Sequence, residues 1–147
     1  MYGINCQRGF YIPINPTKYV GKKQPCFRSS WERLVMEMFD KNPNIKSWDS
    51  ECLKIPYQNP FTGKYTVYVP DFVVTYVDAK GSQITEIIEV KPAKETFLEQ
   101  AKSQKAKAAV ALNTYKWAAA KAYAKERGIG FRIMTEYNIF NNPKGKA

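Results

Sequence analysis

Histidine is absent from the chain. That absence excludes Ser-His-Asp and Cys-His nucleophiles, His-ligated zinc, and an imidazole general base. Hydrolytic chemistry here has to come from carboxylates, lysine, tyrosine or a hard metal ion. Cysteine is scarce. Cys6, Cys26 and Cys52 are odd in number, widely spaced and form no C-x-x-C pair, which argues against a disulfide framework or a zinc site. They read as reduced thiols of a cytosolic protein. No stretch approaches the ~18 uninterrupted apolar residues of a membrane-spanning helix. Residues 1–10 lack the apolar segment of a secretory leader. There is no internal repeat and no low-complexity linker.

Basic charge is abundant and unevenly placed. The 147 residues carry 23 Lys and Arg against 13 Asp and Glu, a net of +10. Residues 91–147 hold 12 basic and 4 acidic side chains, whereas residues 1–90 hold 11 and 9. A basic part beside a near-neutral part is the footprint of a polyanion partner. The length suits one compact domain with a core that needs no staples.

The expected organisation is a single domain over residues 1–147. Residues 1–27, with Pro13, Pro16, Gly21 and Pro25 among aromatics, read as an extended arm lying over the core at 28–140. Residues 141–147 read as a polar, frayed tail. A helix is predicted from Ser29, where Ser29-x-x-Glu32 fits a capping box and Trp31, Leu34, Val35 and Met38 form one apolar face. It should end near Lys41–Pro43. Trp48 to Tyr57 reads as one extended segment, followed by a turn at Asn59–Gly63. Tyr65 to Val69 alternates as a strand. Phe72–Val77 and Ile84–Lys91 are predicted to pair across a turn at Asp78–Gly81. Thr96 to Gln104 reads as a short helix, Lys105 to Arg127 as a long one closed by Gly128, and Phe131–Met134 as a last strand. The order α-β-β-β-α-β describes an α/β fold, a central mixed sheet flanked by helices.

The candidate chemistry lies on the predicted hairpin. Asp71 stands at the mouth of one strand, and Glu89 and Lys91 lie two apart on its partner. Alternation puts Glu89 and Lys91 on one face and turns Ile88 and Val90 to the other. In matching register Asp71 comes opposite their end. Two carboxylates and a main-chain carbonyl, that of Val90, then converge as oxygen ligands for a hard cation such as Mg²⁺, with Mn²⁺ a substitute. Glu32 is the extra carboxylate for a second ion. The cation polarises water and phosphate, and Lys91 orients the water and stabilises developing charge. Each residue alone has an ordinary explanation, as strand face, turn or cap. The spacing D-x17-E-x-K across a hairpin, after a helix bearing Glu, carries the argument.

Pro70-Asp71 with Glu89-Val90-Lys91 resembles the PD-(D/E)XK signature of restriction-type endonucleases, and the element order resembles their core. That resemblance implies Mg²⁺-dependent phosphodiester cleavage, with Asp71, Glu89 and Lys91 in the active site and Glu32 as the first-helix acid. Tyr-x-Pro-x-Asn-Pro-x-Lys-Tyr at 11–19 and Phe27-Arg28-Ser29-Ser30-Trp31-Glu32 carry a closer likeness, together with Pro70-Asp71-Phe72, Glu89-Val90-Lys91-Pro92, Asn113-x-x-Lys116-Trp117 and Ala122-Tyr123. These stretches are similar to the head-completion nucleases of T-even-type phages and to the TnsA subunit of cut-and-paste transposases. The likeness implies processing of branched, flapped or free DNA ends in virion assembly, head or portal partners, and residence in a bacterial host or its virions. A transposase- or restriction-type subunit, or a non-catalytic DNA-binding virion protein with the same fold, are the alternatives.

DNA contacts are expected from the basic helix. Lys102, Lys105, Lys107, Lys116, Lys121 and Lys125 stud it, and phosphate neutralisation by such residues is salt-sensitive. Lys105, Lys116 and Lys121 are the candidates. Asn113 and Lys116, one turn apart, are expected to face the cleft together, while Trp117 is assigned to the core. Arg28, just ahead of the first helix, is expected to touch phosphate near Glu32.

Overall fold

The structure, a computed structural model, describes residues 8–96 and 101–140. Cys6, the first seven residues of the arm, positions 97–100 of the short helix expected at Thr96–Gln104, and the tail from Asn141 lie outside the described residues. The elements in chain order are β1 (Gly9–Phe10), β2 (Cys26–Phe27), α1 (Ser30–Lys41), β3 (Ile45–Ser50), β4 (Ile55–Gln58), β5 (Tyr65–Tyr68), β6 (Phe72–Val77) and β7 (Gln83–Val90). A 3-10 turn at Ala93–Glu95, α2 (Gln104–Glu126), β8 (Gly130–Met134) and α3 (Glu136–Ile139) complete them.

The central sheet has the order β3-β6-β7-β8. β3, β6 and β7 are antiparallel, and β8 joins β7 in parallel through the α2 crossover. The α-β-β-β-α-β order is therefore present, with the β4–β5 hairpin and the small β1–β2 ribbon added to it. Asp78 makes the β6–β7 turn possible. Its Oδ1 accepts from the Lys80 and Ser82 amides at 2.9 Å, and Gly81 takes φ 81°, a left-handed conformation glycine adopts without a side-chain clash.

The extended segment expected over Trp48–Tyr57 is two strands of two different sheets. β3 ends at Ser50, and Glu51 turns the chain with φ 50°. That conformation is uncommon for a residue with a side chain. Beyond it, Ile55–Gln58 pairs with Tyr65–Tyr68 instead of continuing along β6.

Two cores sandwich the sheet. On one face α1 and the arm bring Tyr11, Phe27, Val35, Met36 and Phe39 onto Trp48, Phe72, Val74, Ile88 and Val90. Trp48 is fully buried, its ring 4.6 Å from that of Tyr19 and 6.0 Å from that of Tyr11. Burial of such a ring contributes on the order of 5 kcal/mol. On the other face α2 lays Trp117, Ala120 and Ala124 against Ile87 and the hairpin residues Ile55, Tyr57 and Tyr68. The small alanines let this helix lie close to the sheet.

The buried stripe of α1 differs from the expected one. Glu32, Val35, Met36, Phe39 and Asp40 are buried, while Trp31, Leu34 and Met38 are half-exposed. Helical spacing permits both stripes. Hydrogen bonding decides between them, because the arm gives Asp40 a full set of donors. Tyr11 Oη donates to Asp40 Oδ2 at 2.6 Å, the Ile14 amide to the same oxygen at 2.6 Å, and the Asn15 amide to Oδ1 at 2.9 Å. The Asp40 carbonyl accepts from Asn15 Nδ2 and Lys18 Nζ. The arm from Tyr11 to Lys18 is thus bound to the core by a buried carboxylate.

Candidate active site

The register of β6 and β7 builds the site. Phe72 lies opposite Ile88, so Asp71, one residue before β6, meets the end of β7. Asp71 Oδ2 accepts the Val90 amide at 2.7 Å. The strand pairing expected from alternation and the Asp78–Gly81 turn is present, and it brings Asp71, Glu89 and Lys91 together. β7 ends here because Pro92 cannot extend the ladder. Ile88 and Val90 face the α1 core, and Glu89 and Lys91 face the side covered by α2 and the hairpin.

Glu89 is gripped from two sides. Lys91 Nζ lies 3.6 Å from Glu89 Oε2, and Tyr68 Oη donates to Oε1 at 2.6 Å. Tyr68 comes from the end of the inserted hairpin and is itself buried. Lys116 Nζ, from α2, lies 5.9 Å from the Tyr68 ring centroid, within cation–π range. Two lysines thus stand beside one buried glutamate.

The electrostatics of the three acids follow from burial and mutual repulsion. The Asp71 carboxyl is enclosed by protein although part of the residue remains accessible. Burial raises its pKa well above the ordinary value, and the negative charges of Glu89 and Glu32 raise it further, against the Val90 amide. Burial also raises Glu89, opposed by Lys91, by the Tyr68 hydroxyl and by Lys116. In Glu32 burial outweighs the amide of Arg28, with Glu51 adding to the rise. Burial, and next the Lys91 charge, lower the pKa of Lys116, while Glu89 pulls the other way. The site gathers three acids, Glu32, Asp71 and Glu89, around two lysines, and burial disfavours the charged form of each acid.

An all-oxygen set of carboxylates that repel one another fits a hard divalent cation. Asp71, Glu89 and the adjoining main-chain carbonyl of Val90 are the residues suited to hold one. Among the described residues no three His, Cys, Asp or Glu side chains form a metal-holding group, and the Glu32 carboxylate, expected to serve a second ion, is held at the start of α1. Its two oxygens accept from the Arg28 amide at 3.2 Å and the Ser29 hydroxyl at 3.3 Å. Glu32 closes the start of α1, as the capping pattern predicts, although it bonds the amide before the N-cap residue. It acts on Asp71 and Glu89 through its charge.

The expected DNA-facing residues separate into groups. Lys116 lies half-buried at the site's edge, whereas Asn113 turns into the buried face of α2 with Trp117. Lys105 and Lys121 are both exposed. Lys105 and Lys116 are eleven residues apart, about three full turns, and share a flank of the helix, while Lys121 falls on the opposite flank. Arg28 is committed to Glu51, with Nε 2.8 Å from Oε2 and the second guanidinium contact at 3.2 Å. Tyr68 and Glu51 escaped the sequence reading. Nothing in the pattern marks Tyr68 among ten tyrosines, and the Glu51 conformation has no sequence signal.

The chain is similar to known nucleases. The family described as TnsA-like endonuclease N terminal matches residues 42–136. The head completion nuclease of Enterobacteria phage T4 is 38% identical over 139 residues, covering 87% of this chain and 90% of the phage protein.

Proposed function

We propose, from the premise that this chain belongs to the TnsA-like endonuclease N-terminal family, that it is a PD-(D/E)XK-type endodeoxyribonuclease hydrolysing DNA phosphodiester bonds with Mg²⁺. The observation that carries the reading is the Asp71–Val90 bond, which sets Asp71 against the Glu89–Lys91 end of β7. Asp71, Glu89 and the Val90 carbonyl hold the ion, and Glu32 adds negative charge beside them. When bound, Mg²⁺ supplies positive charge to the scissile phosphate and acidifies water. Lys91, held within 3.6 Å of Glu89, orients the attacking water and stabilises charge developing on the phosphate. In the net reaction a water oxygen bonds to phosphorus, the bond to the leaving oxygen breaks, and the water proton ends on that oxygen. Lys116 and Lys105 hold backbone phosphates on the shared flank of α2.

The relation to a head completion nuclease supports a role in processing DNA ends during phage head completion, with branched, flapped or end-bearing DNA as substrate and head or portal proteins as partners. The family match supports a second reading, an endonuclease subunit of a transposase-like complex. Cleavage of linear, flapped and branched DNA with Mg²⁺ tests the proposal against Glu89→Ala. Cutting by the wild type, lost in the variant and in excess chelator, is the expected result. Undiminished cutting in chelator, or by Glu89→Ala, overturns it.

A further inference from the structure

We propose that Tyr68 is a positioning residue for Glu89, a role that rests on the nuclease reading above. A carboxylate on a strand end has a terminal torsion with broad rotational freedom. Glu89 does not keep that freedom. Lys91 engages Oε2 from the same strand, and Tyr68 engages Oε1 from the hairpin with a 2.6 Å bond. A short bond from a hydroxyl to a carboxylate is charge-assisted and about twice as strong as a neutral one. The Tyr68 ring is 5% exposed and packed among Ile55, Tyr57, Ile87 and Trp117, so the hydroxyl has a fixed origin. Fixing a ligand carboxylate in this way is what groups behind metal ligands do, and their loss weakens metal affinity by about tenfold or more.

The hairpin is therefore part of the site. Its strand β5 exposes Tyr65 and Val67 and buries only Tyr68. The one inward side chain ends on the acid of the reaction centre. Lys116, above the Tyr68 ring, ties α2 to the same point. Three separate elements, β5, β7 and α2, thus converge on the orientation of one carboxylate.

Mn²⁺ titration of the full chain without DNA, followed by the electron paramagnetic resonance of free Mn²⁺, reads this role apart from cleavage. Tyr68→Phe removes one oxygen and keeps the ring. Tyr68→Met, run beside it, also removes the hydroxyl but packs differently, so a packing fault peculiar to one variant does not decide the result. Val67→Ala disturbs the exposed face of the same strand. About tenfold weaker Mn²⁺ binding in both Tyr68 variants, with Val67→Ala like the wild type, is the expected result. Equal affinity in Tyr68→Phe and wild type overturns the positioning role and leaves the nuclease reading standing. A wild type that binds no Mn²⁺ overturns both.

Discussion

Asp40 and Asp71 are both enclosed by protein, and their surroundings act on them in opposite directions. Burial raises the Asp40 pKa, but the donors of Tyr11, Ile14 and Asn15 outweigh it, and the net shift is downward. The unfolded chain therefore holds the Asp40 proton more tightly than the native one does. Its stabilisation is present above the unfolded pKa and is lost as pH falls through the folded one. Asp40→Asn should cost about 2–3 kcal/mol near neutrality, because an amide faces three donors, and less in acid. For Asp71 burial and then Glu89 and Glu32 raise the pKa, so the native state holds the proton more tightly. That contribution is present below the unfolded pKa and is lost as pH rises through the folded one. Asp71→Asn should stabilise the metal-free protein by about 1 kcal/mol at neutral pH, with no gain below the carboxylate range, while abolishing cleavage. Urea unfolding of both variants at the two pH values checks the pair. Equal effects at both would remove charge as the cause.

At the scale of elements, the ends of helices and strands were legible where a side chain announces them. Gly128 closes α2 with φ 68°, and a methyl group added there meets nothing within 4 Å. Gly128→Ala should therefore cost about 1 kcal/mol through backbone strain alone, without altering cleavage. Thermal unfolding beside a DNA-cutting assay reads both halves of that statement. Ser29, Asp78 and Gly81 were equally readable, since capping and turn residues act locally. The break at Glu51 was not. A strand that stops because its continuation pairs elsewhere is decided by the β5 partner, ten or more residues away in sequence. The rotated stripe of α1 was hidden for the same reason, since the donors that let Asp40 be buried belong to the arm. The site followed this division. Asp71, Glu89 and Lys91 share one hairpin, whose register alternation and a turn suffice to place. Tyr68 comes from a separate sheet and could be placed only by the fold.

At the scale of the whole molecule, the net charge of +10 predicts DNA affinity that falls steeply with salt, and the placement of lysines says which matter. Lys105→Ala should weaken binding and lower the slope of log affinity against log salt by about one. Lys121→Ala, on the opposite flank of α2, should change both little. Equal losses would show that DNA wraps both flanks. The same topology governs when the site can exist. Lys91 gives its amide to the carbonyl of Met134 at 3.0 Å, and Glu89 lies in register with Ile133. The edge of β7 that bears Glu89 is thus closed by a strand made more than forty residues later. Parallel pairing across such a span has to wait for its partner, whereas β3, β6 and β7 need only neighbours already made. On the ribosome, the antiparallel meander can form while β7 is still an open edge. The order of synthesis therefore leaves the β7 edge beside the candidate site unpaired until the last strand emerges.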